Sequence, residues 1–279
     1  MKEVLFMNKD YAVKLFIQSG VSKSTANSYV MDISLCENWL KKDIDEATKM
    51  DLVDYIDYML QEKKAAPASI NRTIYALKKY YDVMEVSVNP AANLRRIKVQ
   101  RNSPTIFDLE QMEIILNSLP KRNKERNKLI IVLAAICGLR KSEIVNLDVD
   151  DFNGTQLSVF GKGNKVRYIT ISNNISNLIK KYLKERTEGP MFISEQGNRL
   201  SIGAVDNIMS GLKKSTNFGV HMHKFRHTAA TYAYRQDKNL RAVQEMLGHS
   251  SPNTTQIYVH VGDEEIRSMI ESSPVSKLI

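Results

Sequence analysis

The sequence predicts a mainly α protein with a small antiparallel β-sheet, built as an N-terminal helical bundle followed by a mixed α/β domain. Three observations carry this expectation. The chain has 279 residues, of which 43% are hydrophobic, and domains usually run ~100–200 residues, so two cores are expected. From about residue 9 to residue 87 apolar residues recur at helical spacing. Near residue 155 the period switches to alternation for two short runs, then returns to helical.

In the first domain, Ser22 to Ser24 supply capping hydroxyls ahead of Tyr29, Ile33, Cys36, Trp39 and Leu40, a helical apolar face. Thr48 followed by Asp51 is a loose capping box before Leu52, Val53, Ile56, Met59 and Leu60. Pro67 and Ser69 open another helix, with Ile70, Ile74, Leu77, Tyr80 and Tyr81 on its face. Four helices in under a hundred residues make a small bundle. Asn89-Pro90 ends it. From Asn89 to Thr105 the chain is polar and basic, with Arg95, Arg96, Lys98, Arg101 and Pro104, and reads as an extended connector. Such a segment either lies against phosphates or is a solvated linker. The expected domains are 1–100 and 101–279.

The second domain opens with a helix after Phe107-Asp108, then a strongly apolar helix, Leu129 to Ile136, stopped by Gly138. Thr155 to Phe160 and Val166 to Ile171 alternate as strands around Gly161-Lys162-Gly163-Asn164-Lys165, a hairpin turn. Helices resume from about Asn173. Met191-Phe192-Ile193 is expected as one short edge strand. Ile202 to Leu212, His223 to Tyr234, Leu240 to Leu247 and Asp263 to Ile270 are expected as helices.

The net charge is +9 and the pI about 9.3, which points to a polyanionic partner. The excess is uneven: residues 1–100 hold 15 basic and 13 acidic groups, a balance of +2, and the remainder holds 25 and 18, a balance of +7. Cys36 and Cys137 fall in different predicted helices with apolar neighbours, which fits neither a disulfide framework nor a metal site. No run approaches the ~18 apolar residues of a membrane span. The first seven residues are too short and too acidic for a signal peptide. A cytoplasmic, nucleoid-associated location is expected.

Several polar residues point to chemistry. Arg140 follows Gly138 at a helix start, and its planar fork matches two phosphate oxygens; its alternative is a surface pair with Glu143. Lys162, between glycines at a hairpin tip, can approach a bound molecule closely and donate a proton; P-loop spacing is absent. His223 and Arg226 share a helix face at i, i+3. His223 and His227, one turn apart with His221 nearby, raise a metal site, but Lys224 stands where a zinc protease needs Glu. His227 is better read as a packing residue. Gly248 ends a helix and aims His249 off its axis. Cleaving a phosphodiester needs a nucleophile, charge neutralisation and an acid for the leaving oxygen. Tyr258 can be the first, Arg140 and Arg226 the second, Lys162 and a histidine the third. No carboxylate cluster suits two magnesium ions; Asp148, Asp150 and Asp151 read as caps before the strand. No metal and no cofactor are expected.

These residues resemble the tyrosine recombinase (phage integrase) family. The matching segments are Cys137-Gly138-Leu139-Arg140-Lys141-Ser142-Glu143-Ile144, Gly161 to Lys165, His223-Lys224-Phe225-Arg226-His227-Thr228, Leu247-Gly248-His249-Ser250-Ser251, and Thr254-Thr255-Gln256-Ile257-Tyr258. The resemblance implies a helical core-binding, SAM-like DNA-binding domain followed by a catalytic domain of tyrosine recombinase type. It implies a site-specific recombinase acting in DNA integration, excision or resolution. Tyr258 would attack the scissile phosphate and form a 3′-phosphotyrosyl link. Arg140 and Arg226 would clamp the phosphate, Lys162 would protonate the 5′-oxygen, His223 would assist proton transfer, His249 would hydrogen-bond the phosphate and Glu143 would support the first arginine.

The same resemblance implies double-stranded DNA as partner, held mostly by phosphate contacts in a C-shaped clamp. It implies a homotetramer on two duplexes, weakly associated without DNA, with an apolar C-terminal segment (Ile266, Met269, Ile270, Leu278) docking on a neighbour. An accessory DNA-bending or directionality factor is a further expectation. The chain starts with the bundle, so compact Xer-like or mobile-element members are the closer comparison. Bundle candidates for DNA contact are Lys23, Ser24, Asn27, Asn71, Arg72 and Lys78. Two other readings compete: a type IB topoisomerase-like relaxase, and a DNA-binding regulator without catalysis.

Overall fold

The structure is a computed structural model and describes residues 8–99, 104–161, 166–248 and Thr255. The chain divides into two compact units, Met1–Arg101 and Asn102–Ile279. Among the described residues the molecule is mostly helical with one two-stranded antiparallel sheet.

The first unit contains α1 (Lys9–Gln18), α2 (Lys23–Leu40), α3 (Lys49–Gln61) and α4 (Pro67–Val83). Local chemistry starts each helix. Ser22 Oγ accepts from Thr25 N at the head of α2. Thr48 and Asp51 form a reciprocal capping box before α3. Pro67 occupies the first turn of α4, where its missing N–H leaves no bond unmade. The apolar faces converge on Phe16, Ile33, Leu52, Ile74 and Leu77, all essentially inaccessible. Tyr80 and Tyr81 are buried as rings, and their hydroxyls donate to Asp45 and to the Ile44 carbonyl, which satisfies polar tips that would otherwise be costly to bury. The connector begins later than its composition suggests. Ala91 and Leu94 pack into the bundle core, and the Asn71 amide pairs with both backbone groups of Ile97, each bond 2.8 Å. The segment up to Ile97 is therefore part of the bundle.

The second unit contains α5 (Leu109–Asn117), α6 (Lys124–Ala135), α7 (Lys141–Asn146), β1 (Gln156–Phe160), β2 (Val166–Thr170), α8 (Asn173–Leu183), α9 (Ile202–Thr216), α10 (Met222–Asp237) and α11 (Leu240–Leu247). Helix α6 is the centre: Asn127 and every residue from Leu129 to Ala135 are buried, and it packs against α8 and α10. A helical segment apolar on every side, as Leu129 to Ala135 is, belongs inside a core. It is followed by Gly138 at φ +66°, where a Cβ would lie 2.6 Å from Leu247 Cδ2. The glycine thus permits both the left-handed turn and the close approach of α11. Thr228 Oγ1 on α10 accepts from Phe107 N at 2.9 Å, tying the start of the unit to its middle.

Strands β1 and β2 pair with Leu157 opposite Ile169 and Val159 opposite Arg167. Leu157, Val159 and Ile169 form the buried face. The expected strand at Met191-Phe192-Ile193 is a correction. The segment makes only isolated bridges, Asp148 with Pro190 and Ile193 with Arg199. Met191 N donates to Leu147 O, and Leu200 N donates to Phe192 O. Pro190 has no N–H to start a ladder, and burial of Met191 and Phe192 produces the apolar run that looked like a strand. Asp148 and Asp151 close a single 3-10 turn, Val149–Asp151, through Asp148 N to Asp151 Oδ2 at 2.9 Å. The expected helix at Asp263 to Ile270 lies outside the described residues.

Candidate active site

Arg140 stands at the N-cap of α7, two residues after Gly138. Its backbone N–H donates to Glu143 Oε2 at 2.8 Å, and its Nη1 donates to Glu143 Oε1 at 2.7 Å. The spacing follows from helix geometry, since residue N3 of a helix faces the N-cap. Glu143 is not the surface partner that an i, i+3 pair suggests. Its side chain is only 4% exposed.

Three arginines surround this one carboxylate. Arg167 on β2 grips it end-on, Nη1 to Oε1 at 2.9 Å and Nη2 to Oε2 at 2.8 Å. Arg226 on α10 places Nη1 3.8 Å from Oε2. Arg226 is itself 5% exposed and donates Nη1 to the Gly138 carbonyl and Nη2 to the Leu247 carbonyl. Those carbonyls lie at the ends of the segments that follow α6 and close α11, so one guanidinium fastens both. Arg140 keeps 32% of its side chain accessible. The two guanidinium groups expected to act together thus meet at a single carboxylate, one accessible and one buried.

The electrostatics follow from the partners. Burial alone would raise the Glu143 carboxyl, but the hydrogen bonds and charge of Arg167, with those of Arg140, overcome it and hold Glu143 down to about 2. Burial pushes the Cys137 thiol up to about 12, so this cysteine is no nucleophile near neutral pH. His221 caps α10, its Nδ1 accepting from Lys224 N at 3.2 Å. His223 lies in the first turn of the same helix and is exposed. His227 is half-buried, and its pKa is lowered first by that burial and then by neighbouring His223, Arg226 and His221. Among the described residues no group of three His, Cys, Asp or Glu side chains could hold a metal ion.

Arg167 was not among the sequence candidates. The signal was available: it sits on the inner face of β2, two residues before buried Ile169 and opposite buried Val159. A charged residue on the apolar face of a strand calls for a buried partner. Lys162, His249 and Tyr258 lie outside the described residues. Gly161 precedes Lys162 at the end of β1, and Gly248 (φ +63°) precedes His249 at the end of α11.

Of the bundle candidates, Lys23, Ser24 and Asn27 are exposed on the first turns of α2. Lys78 is half-buried and lines a cavity of about 290 Å³ with Tyr75, Lys79 and Arg96. Asn71 and Arg72 have internal partners. The Asn71 amide holds Ile97, and Arg72 forms a two-bond fork to the nearly buried Asp32 at 2.7 and 2.8 Å. Their sequence signal, polar residues beside a proline-opened helix, does not separate bundle ties from DNA contacts.

Fold and site together define a two-unit protein whose α/β unit gathers three arginines around one buried carboxylate. The description "Phage integrase family" matches residues 106–265, and "Phage integrase, N-terminal SAM-like domain" matches residues 9–85. The chain is 33% identical to a tyrosine recombinase XerC of Caldanaerobacter subterraneus subsp. tengcongensis, covering 92% of this chain and 83% of the relative. It is 28% identical to a tyrosine recombinase XerD of Staphylococcus epidermidis, covering 94% and 96%. The fold is similar to XerH site-specific recombinase bound to palindromic difH substrate (TM-score 0.73, 20% identity, 95% and 84% covered). It is also similar to a lambda integrase dimer bound to a COC′ core site (TM-score 0.74, 17% identity, 89% and 93% covered). The chain belongs to the phage integrase family of tyrosine recombinases.

Proposed function

We propose that this protein is a site-specific recombinase that cleaves and rejoins double-stranded DNA through a 3′-phosphotyrosyl intermediate. The observation that supports it most directly is the meeting of Arg140 and Arg226 at Glu143. A phosphodiester under attack gathers negative charge on its non-bridging oxygens, and preorganised guanidinium groups in a water-poor pocket stabilise that charge. Arg140, the more accessible of the two, reaches the phosphate; Arg226 adds its charge from behind and fixes the backbone around it.

In the proposed cycle the Tyr258 oxygen attacks phosphorus and the P–O5′ bond breaks. The leaving 5′-oxygen takes a proton from Lys162, while His223 assists proton transfer and His249 hydrogen-bonds a phosphate oxygen. A 5′-hydroxyl then attacks the phosphotyrosine, releasing Tyr258 and restoring a phosphodiester. The bond count is conserved, so neither ATP nor metal is required. Glu143 carries Arg140. Residues 1–100 serve as the core-binding domain, with Lys23, Ser24, Asn27 and Lys78 as contact candidates, and residues 101–279 as the catalytic domain. Four protomers act on two duplexes, an arrangement in line with the lambda integrase tetramer on a Holliday junction that shares this fold. Among the described residues no helix is long and apolar enough to cross a membrane, and the proposed location is the cytoplasm, at the nucleoid. An accessory DNA-bending or directionality factor completes the proposal.

The test is covalent trapping. The protein is incubated with fragments of its own genome, and DNA attached to Tyr258 is recovered and sequenced. Wild type should yield defined ends, and Tyr258→Phe and Arg140→Ala should yield none. Adducts that persist in Tyr258→Phe would overturn the assignment. A two-site recombination assay beside supercoil relaxation separates recombination from simple relaxation.

A further inference from the structure

We propose that Arg167 is a positioning residue that neutralises Glu143, so that Glu143 can hold Arg140 without cancelling the positive charge presented to the scissile phosphate. This rests on the proposed function and assigns a role to a residue outside the six-member catalytic set.

An ionised carboxylate has about four lone-pair sites. Glu143 fills them: Oε1 takes Arg140 Nη1 and Arg167 Nη1, and Oε2 takes Arg140 N and Arg167 Nη2. Arg167 makes the paired, planar contact that best neutralises a carboxylate, while Arg140 spends one side-chain nitrogen. The charge balance follows. Arg140, Arg167 and Arg226 against Glu143 leave +2, the charge of two phosphate-directed arginines. Without Arg167 the same pocket holds +1, and the carboxylate's charge falls on Arg140, the group meant for phosphate.

Arg167 also sets where neighbouring segments go. Its Nε donates to the Met246 carbonyl at 2.9 Å, near the end of α11. A Cβ on Gly248 would lie 3.0 Å from Arg167 Cδ and 3.1 Å from its Nη1. The side chain therefore packs directly against Gly248 at the end of α11. One residue on β2 thus ties its strand to Glu143 on α7, the helix headed by Arg140, and to the end of α11. A lysine could replace the charge but not this three-way fork.

The test compares charged and neutral phosphates. The duplex trapped on Tyr258 is made with either a normal phosphate or an uncharged methylphosphonate at the cleaved position, and single-turnover cleavage is measured. Arg167→Gln should slow the phosphate substrate by about 100-fold or more, the scale of losing one preorganised charge contact, and the methylphosphonate substrate by less than about 10-fold. Arg167→Lys should fall between wild type and Arg167→Gln. The double variant Glu143→Gln, Arg167→Gln restores +2 and should recover much of the phosphate rate. Equal losses on both substrates, or no recovery in the double variant, would mean that Arg167 is merely structural.

A second arm needs neither cleavage nor a known site. Melting is compared in sulfate and chloride at one ionic strength. Exclusion of sulfate stabilises all variants alike, and the further gain that Arg140→Gln abolishes belongs to the pocket. Arg167→Gln should lose that gain and the double variant should keep it. If wild type shows no such gain, or Arg167→Gln retains it, the inference fails. If this arm holds while wild type traps no DNA, the recombinase reading fails instead.

Discussion

Replacing Glu143 by Gln keeps the side chain's size and removes its charge, leaving three arginines around a neutral amide. The cost can be worked from the carboxyl's own titration. Its pKa falls from an ordinary 4.5 to about 2 in the folded protein. At ~1.4 kcal/mol per unit this is roughly 3 kcal/mol of stability at pH 7, and removing one partner of a buried ion pair costs about 3–5 kcal/mol in general. The sign is that of a depressed acid: the contribution is fully present above the unfolded pKa of 4.5 and is lost as pH falls toward 2. The Glu143→Gln gap should hold from pH 7 to about 5 and shrink to ~1 kcal/mol near pH 3. Calorimetry of the full chain is the suitable assay. The single tryptophan, Trp39, lies in α2 of the first unit, so its fluorescence does not report on the second. The transition of the second unit should move down at pH 7 while that of the first stays fixed. A second-unit transition unchanged at pH 7, or a gap that does not narrow in acid, would refute the account of Glu143 as a carboxylate held ionised by its arginines.

Gly138→Ala must place a methyl within 2.6 Å of Leu247 Cδ2 at φ +66°. The left-handed backbone alone costs about 1–2 kcal/mol, so a loss beyond that in calorimetry is expected. Thr228→Val removes the acceptor of Phe107 N, stranding a buried N–H; a loss of about 1–3 kcal/mol in urea unfolding should follow. DNA affinity should fall steeply between 50 mM and 200 mM salt, by ~10³-fold or more if six or more phosphates are neutralised; a flat titration by anisotropy would contradict phosphate-based binding. Trapping of DNA on Tyr258 should proceed unchanged in EDTA, since arginine and lysine supply the positive charge.

The parts of the fold legible in the sequence are those decided within a few residues. Ser22, Thr48 with Asp51, Asp108 and Gly248 each act on backbone groups at most four positions away, and all stand at helix ends as their residue types predict. The hairpin from Gln156 to Thr170 is legible for the same reason. The segment Met191-Phe192-Ile193 is not, because a strand exists only where a partner ladder does, and its partners lie at Leu147 and Leu200. Asn71 and Arg72 show the converse limit. Residue type marks them as polar donors, but what they donate to, Ile97 and Asp32, is 26 and 40 residues away.

Which polar residues to single out was legible in the sequence; how Arg140, Glu143 and Arg226 meet was not. Arg140 and Arg226 are separated by 86 positions, and no local rule brings them together. What does so is Glu143, and the sequence offers it only as an i, i+3 neighbour of Arg140. Its burial inverts its meaning. An exposed pair of this kind contributes little, whereas a carboxylate with 4% exposure must be compensated or it unfolds the pocket. Compensation by one arginine would leave a neutral pair and no attraction for phosphate. Compensation by two would leave a single charge. Three arginines around one buried carboxylate compensate it and leave two net positive charges. Under the proposed function, a buried Glu143 therefore calls for an arginine on the inner face of β2, where Arg167 stands.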